Sequence, residues 1–280
     1  GSFTSGAATA AMLILGGHSP WLATLAGGGV GLLAGVFTGL LHTKGKIDGL
    51  LAGILTMIAL WSVNLRIMGK ANLPLLRETT LISPMREAGF LGKSVIGIFI
   101  FAGVALLFTI AVHWFLHTDL GLSIQATGNN GQMIRALGVN TDRTSILTLA
   151  LSNMFVGLCG AVMAQYQGFA DISMGIGLIL VGLASVILGQ ALLGQRSIFV
   201  AALAVVIGSV LYRIIIHFAL AVGLNPNDMK AVTAGLVIAA LLLPRWGFLR
   251  KLPSMRGTRL VPAAAVAGGR RSDEPAGKGA

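Results

Sequence analysis

Residues 21–41, 47–68, 95–116, 145–165 and 198–221 are apolar runs of about 20 residues or more, the length a helix needs to cross a hydrocarbon layer about 30 Å thick. A run of 20 residues at 174–193 and shorter ones at 3–15 and 231–246 bring the total to about eight apolar elements. In lipid the backbone must satisfy its own hydrogen bonds, and these runs do so as helices. The expected fold is therefore all-α, a polytopic transmembrane bundle over residues 1–250, with 251–280 as a disordered basic tail rich in Gly, Ala, Pro and charge. The run at 3–15 is too short to span alone, so it reads as a broken half-helix or as a span clipped by a truncated N-terminus. The chain opens on Gly1, with no basic region before its first apolar run, so no signal peptide is read here.

Composition narrows what holds such a bundle together. Charged residues make up 10% of the chain, against about 25% in a soluble domain, and mean hydropathy is +0.86. Only 6% of residues are aromatic while 39 are Gly, which points to helices packed closely through very small residues. Gly27, Gly31, Gly35 and Gly39 fall four apart on one helix and form a smooth stripe, suited to tight packing within the subunit or to a subunit interface or gate. A formal net charge of +11 would suit nucleic acid, but the basic residues sit in loops between apolar runs and in the tail, so no nucleic-acid partner is expected. Cys159, the single cysteine, lies in an apolar run and reads as core packing, with no disulfide or thiolate metal site.

Lys and Arg set the expected orientation. With the tail cytoplasmic, alternating spans put Lys44, Lys46, Arg135, Arg143 and Arg196 on the same side as the basic tail, and leave fewer basic residues outside, at Lys70, Arg77, Arg86, Lys93 and Lys230. A weak internal echo sets the first three elements against the last three, with opposite topology, as in an inverted repeat; Gly1-Ser2-Phe3 pairs with Asp171-Ile172-Ser173-Met174-Gly175, and Ala52-Gly53-Ile54 with Ala234-Gly235-Leu236. A competing echo matches 62–67 with 209–214.

The cytoplasmic loop at about 119–143 holds the most informative segment, Gly128-Asn129-Asn130-Gly131-Gln132-Met133-Ile134-Arg135-Ala136-Leu137-Gly138-Val139-Asn140. Asn129 or Asn130 suits a helix N-cap, Gly138 suits the left-handed residue after the last turn, and Met133, Ile134 and Leu137 make an apolar stripe. Two turns of helix are unstable alone, so the segment must dock on its own bundle or on a partner.

This segment resembles the cytoplasmic coupling loop of ABC importer permeases of the branched-chain amino acid and ribose class, and the resemblance runs from the start to about residue 250. Residues 47–57 and 64–69 are similar to the tryptophan/tyrosine-type, amino-acid subgroup of that class. The resemblance implies that Asn129, Asn130, Gln132, Met133, Ile134, Arg135, Leu137 and Gly138 enter a cleft of an ABC ATPase subunit, which holds ATP and magnesium, so that this chain needs no cofactor of its own. It also implies a second permease copy, as a homodimer, an external solute-binding protein, residence in a bacterial inner membrane, and an amino acid as the solute. Members of the class carry a further span and an acidic turn before the position of Gly1.

Polar groups inside spans mark the candidate translocation pathway: Asn64, Asn153, Gln165 and Gln190, with Asp171 at the edge of a glycine-rich segment. Arg66 and Arg213 sit near span ends and read as snorkelling side chains. Gly92-Lys93-Ser94 imitates the end of a phosphate-binding loop but lacks its first glycine and its strand, so no ATPase resides in the chain. His113 and His117 have the spacing of a zinc pair without a third ligand, and read as an interfacial anchor beside Trp114. The alternative of an ion-coupled secondary transporter calls for a carboxylate deep in a span, and none of the nine acidic residues is so placed. An intramembrane enzyme would need paired His or Asp residues on facing spans, which the sequence does not offer.

Overall fold

The structure is a computed structural model. It describes residues 1–76, 78–87, 95–193 and 197–221, with 231, 232, 234, 235 and 238 singly. Gly92-Lys93-Ser94, Arg77, Arg196, Lys230, most of the run at 231–246 and the tail at 251–280 lie outside the described residues.

The chain forms α1 (Ser2–Leu15), α2 (Pro20–Thr43), α3 (Gly49–Met68), β1 (Asn72–Pro74), α4 (Ser83–Glu87), α5 (Val95–Leu116), α6 (Asp119–Ala136), α7 (Thr141–Gln167), β2 (Phe169–Asp171), α8 (Leu178–Leu193) and α9 (Ile198–Ala221). Among the described residues α2, α3, α7 and α9 are each long and apolar enough to cross a membrane. Local chemistry sets their ends. Ser19, Asp48 and Asn140 accept N–H bonds from Leu22, Leu50 and Arg143 at the starts of α2, α3 and α7, and Pro20 follows its cap directly. Gly69 and Gly168, both at positive φ, end α3 and α7.

Trp21, Leu25 and Leu33 on α2, Leu50 and Ile58 on α3, Leu107 on α5 and Phe218 on α9 are each more than half exposed. Water would penalise that much large apolar surface, whereas lipid does not. This is a multi-pass membrane protein whose interior is lined by small residues. The glycine stripe of α2 faces α7 within the same chain. A Cβ built on Gly31 or Gly35 would meet the backbone carbonyls of Asn153 and Leu149, and one on Gly39 would come within 2.9 Å of the Ile146 Cα. The partners recede along α7 as the glycines advance along α2, so the two helices run antiparallel with their backbones in contact.

The short first run is the innermost helix. Ser2, Thr4, Ser5, Gly6, Ala7, Ala8, Ala10 and Ala11 are buried against α2, α3 and α7. At about 1.5 Å per residue its 14 residues cover about 21 Å, less than a hydrocarbon core. Gly6, Gly27 and Gly157 meet at one point, where three helices cross backbone to backbone. Cys159, expected in the core, is exposed on α7, because the buried face of that helix is taken by Gly157, Gly160 and Ala161.

An antiparallel strand pair, absent from the sequence reading, ties the ends of α3 and α7 together, with Asn72 opposite Asp171 and Pro74 opposite Phe169. Leu75 N–H donates to the Gly168 carbonyl at 2.7 Å and Ile172 N–H to the Ala71 carbonyl at 3.0 Å. Beneath it lies a cluster of Ala7, Ala11, Ile14, Met68, Leu73, Leu75 and Ala164. A second packing unit pairs α8 with α9 through Gly189 and Gly208, with Ala184 and Tyr212 buried beside Leu188 and Ile216. Thus each end of the proposed echo has a short and a long helix joined through glycine; its third members are α3 and the run at 231–246.

Candidate functional site

The short helix expected between Asn130 and Gly138 is the second of two helical segments in the loop at 119–143, joined to the first by a kink. Thr118 caps α6, accepting from Gly121 N–H, and the axis turns 81° from that of α5 across the break. Asn130 then leaves helical geometry, at φ −155° and ψ 88°. Of the two candidate caps, Asn130 is the one used: its Oδ1 accepts from Met133 N–H at 3.0 Å and opens the last turn and a half. That turn closes on Gly138 at φ 89°, with Gly138 N–H donating to the Arg135 carbonyl and Val139 N–H to the Ile134 carbonyl, the paired bonds of a Schellman ending.

Both ends of α6 are fastened to the bundle. Gln125 Nε2 donates to the Leu116 carbonyl at 2.6 Å, and Gly121 lies against the Phe115 and Leu116 backbone, which ties α6 to α5. Arg135 donates to the Thr141 hydroxyl and reaches Asp142 Oδ1 at 2.8 Å, which ties it to α7. The Arg135–Asp142 pair is open to solvent, with side chains 66% and 55% exposed, so it orients more than it stabilises. Met133 and Leu137 stand 59% and 68% exposed, while Ile134 is half-buried. Asn129 and Gln132 are exposed beside them, and Gln132 borders a cavity of 470 Å³ with His42, Thr127, Arg135, Thr141 and Asp142. Of the eight residues singled out in the sequence, seven are therefore exposed and Ile134 is half-buried. Gln125, Thr141 and Asp142 were missed, although their spacing from Leu116 and Arg135 could have suggested the fastening.

The intramembrane polar residues do not form one cluster. Ser2 Oγ donates to Asn153 Oδ1 at 2.5 Å, and Asn153 Nδ2 donates to the Leu149 carbonyl, so Asn153 helps seat the start of α1. Gln165 is fully buried and tied on three sides: its Nε2 donates to Thr24 and to the Ala161 carbonyl, and its Oε1 accepts from Leu81 N–H at 3.0 Å. It anchors the segment after β1 over the bundle. Asn64 is also buried, but its Oδ1 has no partner among the described residues, and it lines a cavity of 340 Å³ between α1, α3 and the turn before α8. Gln190 is half-buried on α8, in the other packing unit. Asp171 sits at the surface end of β2, where the Ser173 hydroxyl, the Ser173 N–H and the Asn72 amide hold its carboxyl below the usual carboxylate range.

The His113 and His117 rings lie with centroids 4.3 Å apart and planes tilted by 55°, and His117 Nδ1–H donates to the His113 carbonyl. Phe199 covers His113. Among the described residues no group of three His, Cys, Asp or Glu could hold a metal.

Spans with a lipid-facing exterior, an interior locked by glycine and a fastened helix turned across one end define a membrane transport subunit. Residues 1–242 match the family described as branched-chain amino acid transport system / permease component, and the chain belongs to that family. It is 40% identical over 242 residues to the tyrosine transport system permease protein of Clostridioides difficile, covering 86% of this chain and 79% of that protein. It is 34% identical over 239 residues to an uncharacterised protein of Rickettsia prowazekii, covering 83% and 81%. Against the autoinducer 2 import system permease protein LsrC of Escherichia coli it is 32% identical over 199 residues, covering 68% and 54%. No solved structure matches the chain.

Proposed function

We propose that this permease is the membrane subunit of an ATP-binding-cassette importer for an amino acid, working as a homodimer with separate ATPase subunits and an external binding protein. The observation that carries the reading is α6: it projects Met133 and Leu137 from a surface with no apolar cover of its own, yet it is fastened to both α5 and α7. A helix so placed passes a push on its exposed stripe directly to two spans. An ATPase that closes on ATP and magnesium, both held by that partner, would supply the push, and the bundle would open alternately to either side. The α6 end, with Lys44, Lys46 and Arg143, is then the cytoplasmic one, as is the C-terminus. The amino acid assignment draws support from the tyrosine permease relative. In this reading Asn64, Asn153, Gln165, Asp171 and Gln190 stand along the pathway or hold its wall.

Reconstitution of the full-length permease in proteoliposomes, with and without its ATPase and binding protein, tests the reading. Uptake should require the ATPase and hydrolysable ATP, and Met133→Cys should cross-link to the ATPase. Accumulation driven by a proton or sodium gradient alone would instead establish a secondary transporter.

A further inference from the structure

The two faces of α7 differ in character. Gly157, Gly160, Ala161 and Ala164 bury one face against α1 and α2, with main chain meeting main chain at the glycines. Phe155, Cys159, Val162 and Tyr166 follow one another at intervals of four, three and four residues, which aligns them as a stripe on the other face. All four are exposed. The α5 helix crosses this stripe and touches it through ring edges. Phe101 meets Tyr166 with centroids 5.7 Å apart and planes at 86°, and Phe108 meets Phe155 at 6.2 Å and 83°. Edge-on ring pairs are specific in geometry but weak one by one. A Cβ built on Gly103, between the two rings of α5, meets nothing within 4 Å, in contrast to the glycines of α2 that press on α7.

Two features make this seam the place where the bundle parts. First, α7 is held from behind, with Asn153 bonded to Ser2 of α1 and Gln165 to Thr24 of α2. Second, α6 is fastened to the last turn of α5 through the Leu116 carbonyl and to the first turn of α7 through Thr141 and Asp142. A displacement of α6 therefore changes the separation of α5 from α7, and ring edges yield where interlocked main chain does not. Phe101 and Phe108 are seven residues apart, about 10 Å along the helix at about 1.5 Å per residue, which is the length of one small organic solute. Between the two pairs the wall of α7 consists of Cys159 and Val162 and carries no charge.

We infer that the solute passes between α5 and α7 and that the two aromatic pairs are its gates, Phe101 with Tyr166 at one end of a short apolar chamber and Phe108 with Phe155 at the other. The inference rests on the transport reading above and gives it a route. A chamber with a gate at each end passes solute without a leak only if the gates open in turn, and a tilt of α5 about its middle opens one pair as it closes the other. The wall suits the uncharged body of a solute, because a charged side chain would find no counter-group between the gates.

The experiment uses the full-length permease in proteoliposomes and a trimethylammonium methanethiosulfonate added on one side at a time, with the modification of Cys159 read by mass. Cys159 lies between the gates and serves as the reporter. The charged reagent does not enter hydrocarbon, and it reacts with a hydrated thiolate. Phe155→Ala should speed the modification about ten-fold from one side, as for the loss of one ring pair, and Tyr166→Ala should do so from the opposite side. Leu107→Cys, placed on the outward face of α5 in a Cys159→Ala background, should stay unreactive in both gate variants. Phe155→Leu and Tyr166→Leu keep apolar volume without a ring edge and should show the same sidedness, so the test stands where an alanine variant does not fold. Cys159 no more reactive than Leu107→Cys in every gate variant would overturn the inference, because the stripe would then be covered by lipid or protein. Acceleration by both gate variants from the same side would overturn it too. The labelling needs neither ATP nor the ATPase, so a failure here is distinct from a failure of ATP-driven uptake.

Discussion

Replacing Gly157 by Ala adds one methyl group at the point where α1, α2 and α7 cross. A Cβ there would lie 2.6 Å from the Gly27 carbonyl oxygen and 3.1 Å from the Gly31 Cα. Ordinary contact begins near 3.4 Å, so α2 and α7 must part by about 0.8 Å, and every other backbone contact along the stripe is stretched with them. Both obstructing atoms are main chain, so no side chain can swing aside. The cost falls at the upper end of the range for overpacking, about 3 kcal/mol. Gly29 on α2 is the internal control, since a Cβ there meets nothing within 4 Å. Ala is favoured over Gly in a helix by about 1 kcal/mol at both positions, so that preference cancels in the comparison. Unfolding in mixed micelles titrated with sodium dodecyl sulfate, followed by tryptophan fluorescence, should place Gly157→Ala about 3 kcal/mol below Gly29→Ala. If the two variants agree within about 0.5 kcal/mol, the backbone contact at the crossing does not hold the bundle together.

Gln165→Leu strips a partner from the buried Leu81 N–H and from Thr24, and should cost about 2 kcal/mol in the same titration, with increased protease cleavage near Leu81. Asn130→Ala removes the cap that starts the last turn of α6 and should cost about 1 kcal/mol locally; ATP-dependent uptake should fall, and Asn130→Asp should restore it. The carboxyl of Asp171 is held below its ordinary value, so its contribution is fully present above the unfolded value of about 3.9 and is lost as pH falls through the lower folded one. Protection of the Ile172 amide, the exchange rate corrected for its intrinsic pH dependence, should therefore be level from neutral pH to about 5 and fall only below about 4, and Ser173→Ala should move that fall to higher pH.

How far the sequence showed this fold depended on whether the signal was local. Helix ends at Asn130 and Gly138 and the boundaries of α9 are written in adjacent residues, and the structure places them there. The four-residue spacing of Gly27, Gly31, Gly35 and Gly39 announced a close approach, but spacing on one helix cannot say which helix approaches; only the antiparallel register of α7 settles that. The strand pair escaped notice because each strand has three residues and pairs across about a hundred positions of chain, joining Asn72 to Asp171. Gln165 and Asn64 looked alike as polar residues inside spans. Their difference, one fully bonded and one lacking a donor, depends on Thr24, Leu81 and the turn before α8, all remote in sequence.

The two packing units give these residues a common sense. The core of α1, α2 and α7 is joined by backbone-to-backbone contacts at glycine, which tolerate little sliding, α3 packs beside it, and the strand pair of β1 and β2 closes its far end. The pair α8 and α9 is joined in the same way within itself and meets α5 through contacts such as His113 with Phe199. Motion between two rigid units requires less free energy than motion inside either, because it breaks side-chain contacts instead of interlocked main chain. The α6 helix connects α5, which touches the second unit, to α7, which belongs to the first. A force on its exposed stripe therefore acts across the boundary between the units. A disulfide locking α1 to α2, within one unit, should leave ATP-driven uptake intact, whereas one locking α5 to α7 at the Phe108–Phe155 contact should stop uptake until it is reduced. Equal uptake by both locked forms would show that the units do not move against each other during transport.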